Sequence, residues 1–241
     1  MQKNNTPSLL IVILATLAFH CQQNQSGNEQ LAEARPDTVV AVCIWDNISV
    51  RSLPDADARW ITALSLGESV RSTQIVEVDS ANDNREYVRV LLKDGTEGWA
   101  LHDFVVPESE PAVFLSDTDI YQRPDLLTRT DKQFSKFDIV AIVEQQDDWV
   151  RVKGRRSEAK WLSDGWIKIG NLSKDEKDIA AAKFILDAID EESPEKQVEA
   201  LQKIAGSAEL ETSLFIPMID DLIMELQYMD SDTPEKSSAR E

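Results

Sequence analysis

Cysteine, histidine and positive charge are all scarce in this 241-residue chain, and each shortage removes a class of function. Two cysteines cannot form a disulfide scaffold, and no paired C-x-x-C set is present to hold zinc. Two histidines, His20 and His102, are too few for a metal cluster. If the N-terminal leader is removed, His102 is the sole imidazole left for any catalytic triad. Lys and Arg number 25 against 44 Asp and Glu, a net charge of −19. A field of that sign repels phosphate and argues against nucleic acid as a partner. Charged residues make up 29% of the chain, an ordinary share, so the acidity is an imbalance of sign and not a signature of general disorder. Nothing points to a cofactor or a metal, and stability must come from packed cores.

The long apolar run is confined to residues 9–19, LLIVILATLAF, ahead of His20-Cys21. At about 1.5 Å per helical residue it reaches roughly half of a ~30 Å hydrocarbon core, which disfavours a permanent transmembrane helix and gives the shape of a signal peptide. An apolar run ending on Cys, with the polar Gln22-Gln23-Asn24-Gln25-Ser26-Gly27 behind it, resembles a bacterial lipoprotein signal. The resemblance implies removal of residues 1–20, acylation of Cys21 with palmitate-like chains, a flexible tether over 21–37, and attachment to a membrane through the lipid. Ala18, Phe19 and His20 depart from the usual large aliphatic and small residues before that cysteine, so a plain secretory signal cut elsewhere and an uncleaved anchor stay open. Gln22 stands where an inner-membrane retention signal has Asp, and no acidic run follows Cys21. The implied destination is the bacterial cell envelope, at the outer membrane facing the periplasm.

From Thr38 the texture changes to short runs of β-branched and aromatic residues bounded by Asp, Gly, Pro and Asn, which read as strands and turns. Residues 39–45, 48–51 and 87–92 are three such runs. The last joins residues 97–101 through Lys93-Asp94-Gly95-Thr96, where Asp-Gly suits a two-residue hairpin turn. A second copy follows at an offset of 70: Val50 matches Ile120, Pro54-Asp55 matches Pro124-Asp125, and Glu68-Ser69-Val70 matches Asp138-Ile139-Val140. Further on the register slips, with Tyr87-Val88-Arg89-Val90 against Trp149-Val150-Arg151-Val152 and Gly98-Trp99 against Gly165-Trp166. The extra residues lie at 79–84 in the first copy and 154–160 in the second, as insertions in surface loops.

These motifs resemble the bacterial SH3 (SH3b) domains. The first copy offers Ile48-Ser49-Val50-Arg51-Ser52-Leu53-Pro54, Gly67-Glu68-Ser69-Val70, Tyr87-Val88-Arg89-Val90 and Gly98-Trp99-Ala100. The second keeps Pro124, Asp138-Ile139-Val140, Trp149-Val150-Arg151-Val152 and Gly165-Trp166-Ile167, but has Tyr121 in place of the Arg and lacks the Gly before Asp138. The resemblance implies a mainly β chain: two consecutive small SH3-like β-barrels, at 38–107 and, in degenerate form, at 111–171. Trp99 and Trp166, each behind a Gly that lets a neighbouring backbone approach, are expected as packing plugs of such small cores, and Tyr87 and Trp149 as packing residues. Trp60 and Tyr121 fall where an SH3-like barrel lines its groove, and groove and packing readings stay open for both. With Arg51 and Arg123 they form the candidate ligand-binding set.

After Asn171 the period becomes helical. Ser173-x-x-Glu176 reads as a capping box ahead of Ile179, Ala182, Leu186 and Ile189. Ser193-Pro194 opens a second helix that Gly206 ends. Residues 210–229 offer a third apolar face in which Pro217 predicts a kink or a late start. The expectation is a short helical bundle over 173–229 with a disordered tail at 230–241.

No catalytic residue is expected. Cys43 lies in a strand-like run with no helix N-terminus behind it, so a Cys43/His102 pair is set aside in favour of a buried thiol. The oxygen-rich residues 79–84 lack the order of a calcium loop. Lys153, Arg155, Arg156 and Lys160 form the one basic patch, either solvated loop charge or a contact for anionic glycan or lipid head groups. The functional expectation is a non-enzymatic cell-envelope lipoprotein whose modules bind peptidoglycan peptides or an extended protein segment. The alternative is an envelope scaffold in which the helical end docks a partner and the barrels are spacers.

Overall fold

A computed structural model describes residues 37–231, so the leader, Cys21, nearly all of the tether and most of the expected tail lie outside the described residues. The first seven strands are β1 (Val39–Cys43), β2 (Ile48–Arg51), β3 (Trp60–Leu64), β4 (Ser69–Asp79), β5 (Arg85–Leu91), β6 (Glu97–Leu101) and β7 (Val105–Pro107). They form one antiparallel sheet in the order β3-β2-β6-β5-β4-β1-β7. The next seven are β8 (Glu110–Phe114), β9 (Thr118–Tyr121), β10 (Arg129–Phe134), β11 (Ile139–Gln146), β12 (Trp149–Arg155), β13 (Leu162–Lys168) and β14 (Leu172–Ser173). Their order is β10-β9-β13-β12-β11-β8-β14, the first sheet's order with every number raised by seven. The chain is therefore mainly β, with an internal duplication expressed as topology.

The repeat extends to individual hydrogen bonds. Asp55 Oδ1 accepts from Asp57 N at 2.7 Å, and Asp125 Oδ1 accepts from Leu127 N at 3.0 Å, so each Pro-Asp pair makes the same side-chain-closed turn. Glu68 accepts from Ser65 N at 2.9 Å, and Asp138 accepts from Ser135 N at 2.8 Å. Gly98 and Gly165 are equally matched. A Cβ on the first would stand 2.4 Å from Val50 Cγ1, and a Cβ on the second 2.4 Å from Ile120 Cγ2. Each glycine thus lets its own strand, β6 or β13, press on β2 or β9, the close approach expected from the motif.

Each sheet has its own apolar interior. Ala41, Cys43, Val50, Leu64, Val88, Val90 and Ala100 fill the first; Ala112, Phe114, Phe134, Val140, Val152 and Ile167 fill the second. A small third cluster of Val42, Ile44, Val106 and Ala141, with Val143 and Leu162 against it, joins the two sheets along a seam. Only two residues, Glu108 and Ser109, separate β7 from β8, and the buried Ser109 hydroxyl donates to the Val106 carbonyl at 2.7 Å.

The C-terminal end holds α1 (Glu176–Ile189), α2 (Pro194–Ala205), a 3₁₀ turn at Ile216–Met218, and α3 (Ile219–Ser231). Ser193 caps α2 with Pro194 in its first turn and Gly206 closes it, as expected. Pro217 sits in the 3₁₀ turn, so α3 starts late, and it runs to Ser231, past the expected end at 229. The capping box is not formed. Asp175 is the N-cap of α1, accepting from Lys177 N, because Ser173 is held in β14 opposite Val113. The Ser173 hydroxyl instead donates to the buried Asp178 at 2.5 Å. Asp178 also accepts from Ser213 Oγ at 2.8 Å and Leu214 N at 2.7 Å, tying β14, α1 and the approach to α3 together.

Two further departures have local causes. The residues 92–96 connection is a longer hairpin than a two-residue turn: Leu92 N donates to Thr96 O at 2.8 Å and Gly95 N to Leu92 O at 3.0 Å, and of the Asp-Gly pair only Gly95 has positive φ. The glycine that the second copy lacks is replaced without a change of backbone. Gly67 has φ +77°, and Phe137, its counterpart, has φ +73°. The buried Phe137 ring packs 4.9 Å from the Phe215 ring in the cluster that also holds Ile179, Ile185, Leu201 and Ile219. A left-handed Phe is strained, and its ring is the anchor on which the helical end sits.

Candidate functional site

In β2, β6 and β9 buried residues alternate with residues that face outward, and in β13 Gly165 and Ile167 take the inward positions on either side of Trp166. In the first sheet Arg51 opposes both Trp60 and Trp99, and Trp99 opposes Arg89. In the second, Tyr121 opposes Arg129 and Trp166, and Trp166 opposes Arg151. Directly opposed residues share a face. The two sheets therefore carry matched outer rows, Trp60-Arg51-Trp99-Arg89 and Arg129-Tyr121-Trp166-Arg151. This corrects the expectation of core plugs: Trp99 and Trp166 belong to the faces opposite the interiors, because the glycine before each takes the inward position. Trp99 is half-buried and Trp166 buried within its row.

The arginines of these rows are held. Arg51 Nη1 donates to the Ala58 carbonyl at 2.7 Å, and Arg89 pairs with Glu97. Arg129 Nε meets Asp119 at 2.8 Å, and Arg151 grips Asp164 with two bonds of 2.7 and 3.0 Å, which raise its already high pKa. Fixed guanidiniums beside aromatic faces make a pre-organised, amphipathic surface, suited to an extended chain with carboxylates and apolar groups.

Tyr121 is the centre of the second surface. Its ring meets Trp149 edge-on at 4.9 Å, and it lines two neighbouring concavities. One, of about 280 Å³, is bounded by Asp117, Asp119, Gln133, Lys168 and Asn171. The other, of about 290 Å³, is bounded by Gln122, Thr130, Lys132, Ser163 and Asp164. Trp60 stands 57% exposed on the edge strand β3 and borders neither of them. The structure thus places Trp60 with Arg51 on one module and Tyr121 on the other. Arg123 is exposed in the loop after β9, where its backbone is bound by Thr128.

The basic patch divides. The Arg155 guanidinium lies over the Trp45 ring at 4.8 Å, within the seam between the sheets. Arg156 donates to Ser163 Oγ at 2.9 Å, Lys153 opposes Asp164, and Lys160 is exposed. Beneath the same loop Ser157 donates twice to Asp138, whose carboxyl is pushed up by burial against the hold of its hydrogen bonds.

Cys43 is buried, donates to the Trp45 carbonyl at 3.1 Å, and is pushed up to about 11 by burial, which leaves little thiolate at neutral pH. His102 faces Glu86 at 3.3 Å. The Asp79 carboxylate at the head of the 79–84 loop is occupied by Asn82 Nδ2 at 2.9 Å and by Ala56 N and Ala81 N, which hold it below the usual carboxylate range. Sequence reasoning missed the loop residues Leu126, Leu127 and Trp161, all exposed. Trp161 adjoins the 154–160 insertion that the sequence displayed, but Leu126 and Leu127 lie in neither insertion, and nothing local shows that the two loops share one end of a sheet.

No protein-family model matches the chain, and no curated protein resembles it in sequence. Among solved structures it is similar to NlpC2 from Trichomonas vaginalis, at 13% identity and a TM-score of 0.24 over 70% of this chain and 57% of that one. It is similar to NlpC1 from the same organism at 13% identity and a TM-score of 0.23, over 65% of this chain and 55% of that one. The chain thus spans little more than half the length of either neighbour, and at these scores the likeness defines neither the fold nor an activity.

Proposed function

We propose that the two sheets are SH3b-like modules of a non-enzymatic cell-envelope lipoprotein, and that the outer row of the second module binds peptidoglycan stem peptides. The observation that carries this reading is the Tyr121-Trp149-Trp166 surface, flanked by Arg129, Arg151 and Lys168 and opening into two concavities. A stem peptide is short, extended and carboxylate-rich, and this surface offers the half-buried rings of Tyr121 and Trp149 over the buried Trp166, beside the exposed Lys168 and the aspartate-paired Arg129 and Arg151. Acylation of Cys21 would set the contact at the periplasmic face of the outer membrane. The test is retention of the full-length protein on purified sacculi, wild type against Tyr121→Ala with Arg129→Ala. Binding about tenfold weaker in a variant that melts normally is the expected result. Unchanged retention defeats the reading.

A second reading, a scaffold docked through the helical end, is favoured by one feature. A groove of about 360 Å³ between α1 and α2 is floored by Ala188, Ala200, Ile204 and Leu210, with the exposed Phe184 at its edge. Phe184→Glu would then remove a co-purifying partner while sacculus binding persists.

A further inference from the structure

The connection from β9 to β10, residues 122–128, and that from β12 to β13, residues 156–161, emerge at the same end of the second sheet. The register requires this: Tyr121, the last residue of β9, opposes Trp166, so the chain leaving β9 runs toward the start of β13. The concavity lined by Gln122, Lys132, Leu162 and Ser163 lies between them. This tip presents Leu127 at 93% exposure, Trp161 at 81% and Leu126 at 59%. Burial of none of the three serves either core, and three large apolar side chains on adjoining loops are costly to leave in water.

The sign of the surrounding charge identifies what covers them. Arg123, Arg156 and Lys160 lie in the two loops with Asp125 and Glu158, and the Asp125 carboxylate is turned back onto Leu127 N. The matching loops of the first sheet expose Leu53 at 60%, but carry Asp55, Asp57 and Asp94 against Arg59 and Lys93. Among these residues one duplicated end thus has an excess of one negative charge and the other an excess of one positive charge, on a chain of net charge −19. An indole and two leucines beside Arg123, Arg156 and Lys160, which outnumber Asp125 and Glu158, suit the boundary of an anionic bilayer, where the apolar groups enter the acyl region and the cations meet phosphate.

We propose that this tip, Leu126, Leu127 and Trp161 with Arg123 and Lys160, is a membrane-contact site that seats the second module on an anionic lipid surface. The full-length protein with Cys21→Ser, which removes the proposed acylation and serves as the wild-type background, is floated with and without Leu127→Asp plus Trp161→Ser on vesicles of phosphatidylcholine alone or mixed with phosphatidylglycerol. Both proteins keep residues 1–36, so any contribution of that segment is common to the pair. The wild type is expected to bind the anionic vesicles about tenfold or more tightly than the variant, with the gap narrowing on neutral vesicles and in high salt. A second measurement reads the tip directly: brominated acyl chains quench part of the tryptophan fluorescence of the wild type, and Trp161→Phe removes that part. Equal flotation together with no Trp161-dependent quenching overturns the proposal. So does a variant that loses sacculus retention while keeping both lipid signals, which would assign the tip to the polymer.

Discussion

Replacing Phe137 by Gly should do less damage than replacing it by Ala, the reverse of the order found at almost any other buried position. Truncating a buried Phe to Ala in a packed cluster costs about 3–5 kcal/mol. Phe137→Ala incurs that loss, because the ring against Phe215 disappears, and it keeps a left-handed backbone worth about 1–2 kcal/mol of strain. Phe137→Gly loses the same ring but releases the strain, offset by roughly 0.4–1 kcal/mol of extra freedom in the unfolded chain. The Gly variant should therefore be about 0.5–1 kcal/mol more stable than the Ala variant, with both well below the wild type. Urea titrations followed by far-UV circular dichroism resolve that gap if all three proteins are fitted with a common slope. An Ala variant equal to or more stable than the Gly variant would refute the claim that φ is constrained here and that the ring outweighs the strain.

Other expectations follow from the same contacts. Gly98→Ala and Gly165→Ala each place a methyl 2.4 Å from an aliphatic carbon, so each should destabilise its own sheet by about 1–3 kcal/mol, read as a lowered Tm and as local loss of amide protection. Asp178→Ala leaves Ser173, Ser213 and Leu214 N without their acceptor, for an expected loss of roughly 3–5 kcal/mol; Asp178→Asn should recover part of it in the same melt. Two carboxylates should shift stability with pH in opposite senses. Burial works against the Asp46 charge, but the Lys183 ammonium at 2.8 Å and the Leu66 N–H hold its carboxyl low, so its stabilisation is present above about pH 3.8 and lost as pH falls through the lower folded value. For this half-exposed pair the effect stays within about 1 kcal/mol. Asp138, raised by burial, favours the folded state below about pH 3.8 and loses that contribution as pH rises through its folded value. Comparing the pH dependence of Tm for Asp46→Asn and Asp138→Asn with the wild type checks both signs.

The offset of 70 foretold that one pattern of strands occurs twice, since strand order follows from turns and apolar alternation that a sequence displays directly. The Pro-Asp turns, the Ser193-Pro194 start and the late third helix were legible for the same reason: each is set by neighbours in the chain. Trp99 and Trp166 were placed on the wrong side because facing is decided by a register of period two, and a single step reverses it. Ser173 was misread as a cap because a strand partner 60 residues away, Val113, claims its backbone. The absence of a glycine before Asp138 looked like decay of the second copy, yet Phe137 keeps the same left-handed bend and adds a ring contact to Phe215 that a local motif does not disclose. Of the candidate site, Tyr121 was legible by position, whereas its flanking arginines required the cross-strand pairing.

The two-residue link and the apolar seam have a consequence for recognition. Beads on a slack string can adjust their separation to whatever they grip, but Val42, Ile44 and Val106 pressed against Ala141, with Arg155 lying over Trp45, leave no such play. If both sheets bind, as the proposed function would allow, the pair would work as a ruler with a fixed spacing between its marks. A polymer whose repeat fits that spacing would gain the avidity of two simultaneous grips, and one whose repeat does not fit would be held by a single module at a time.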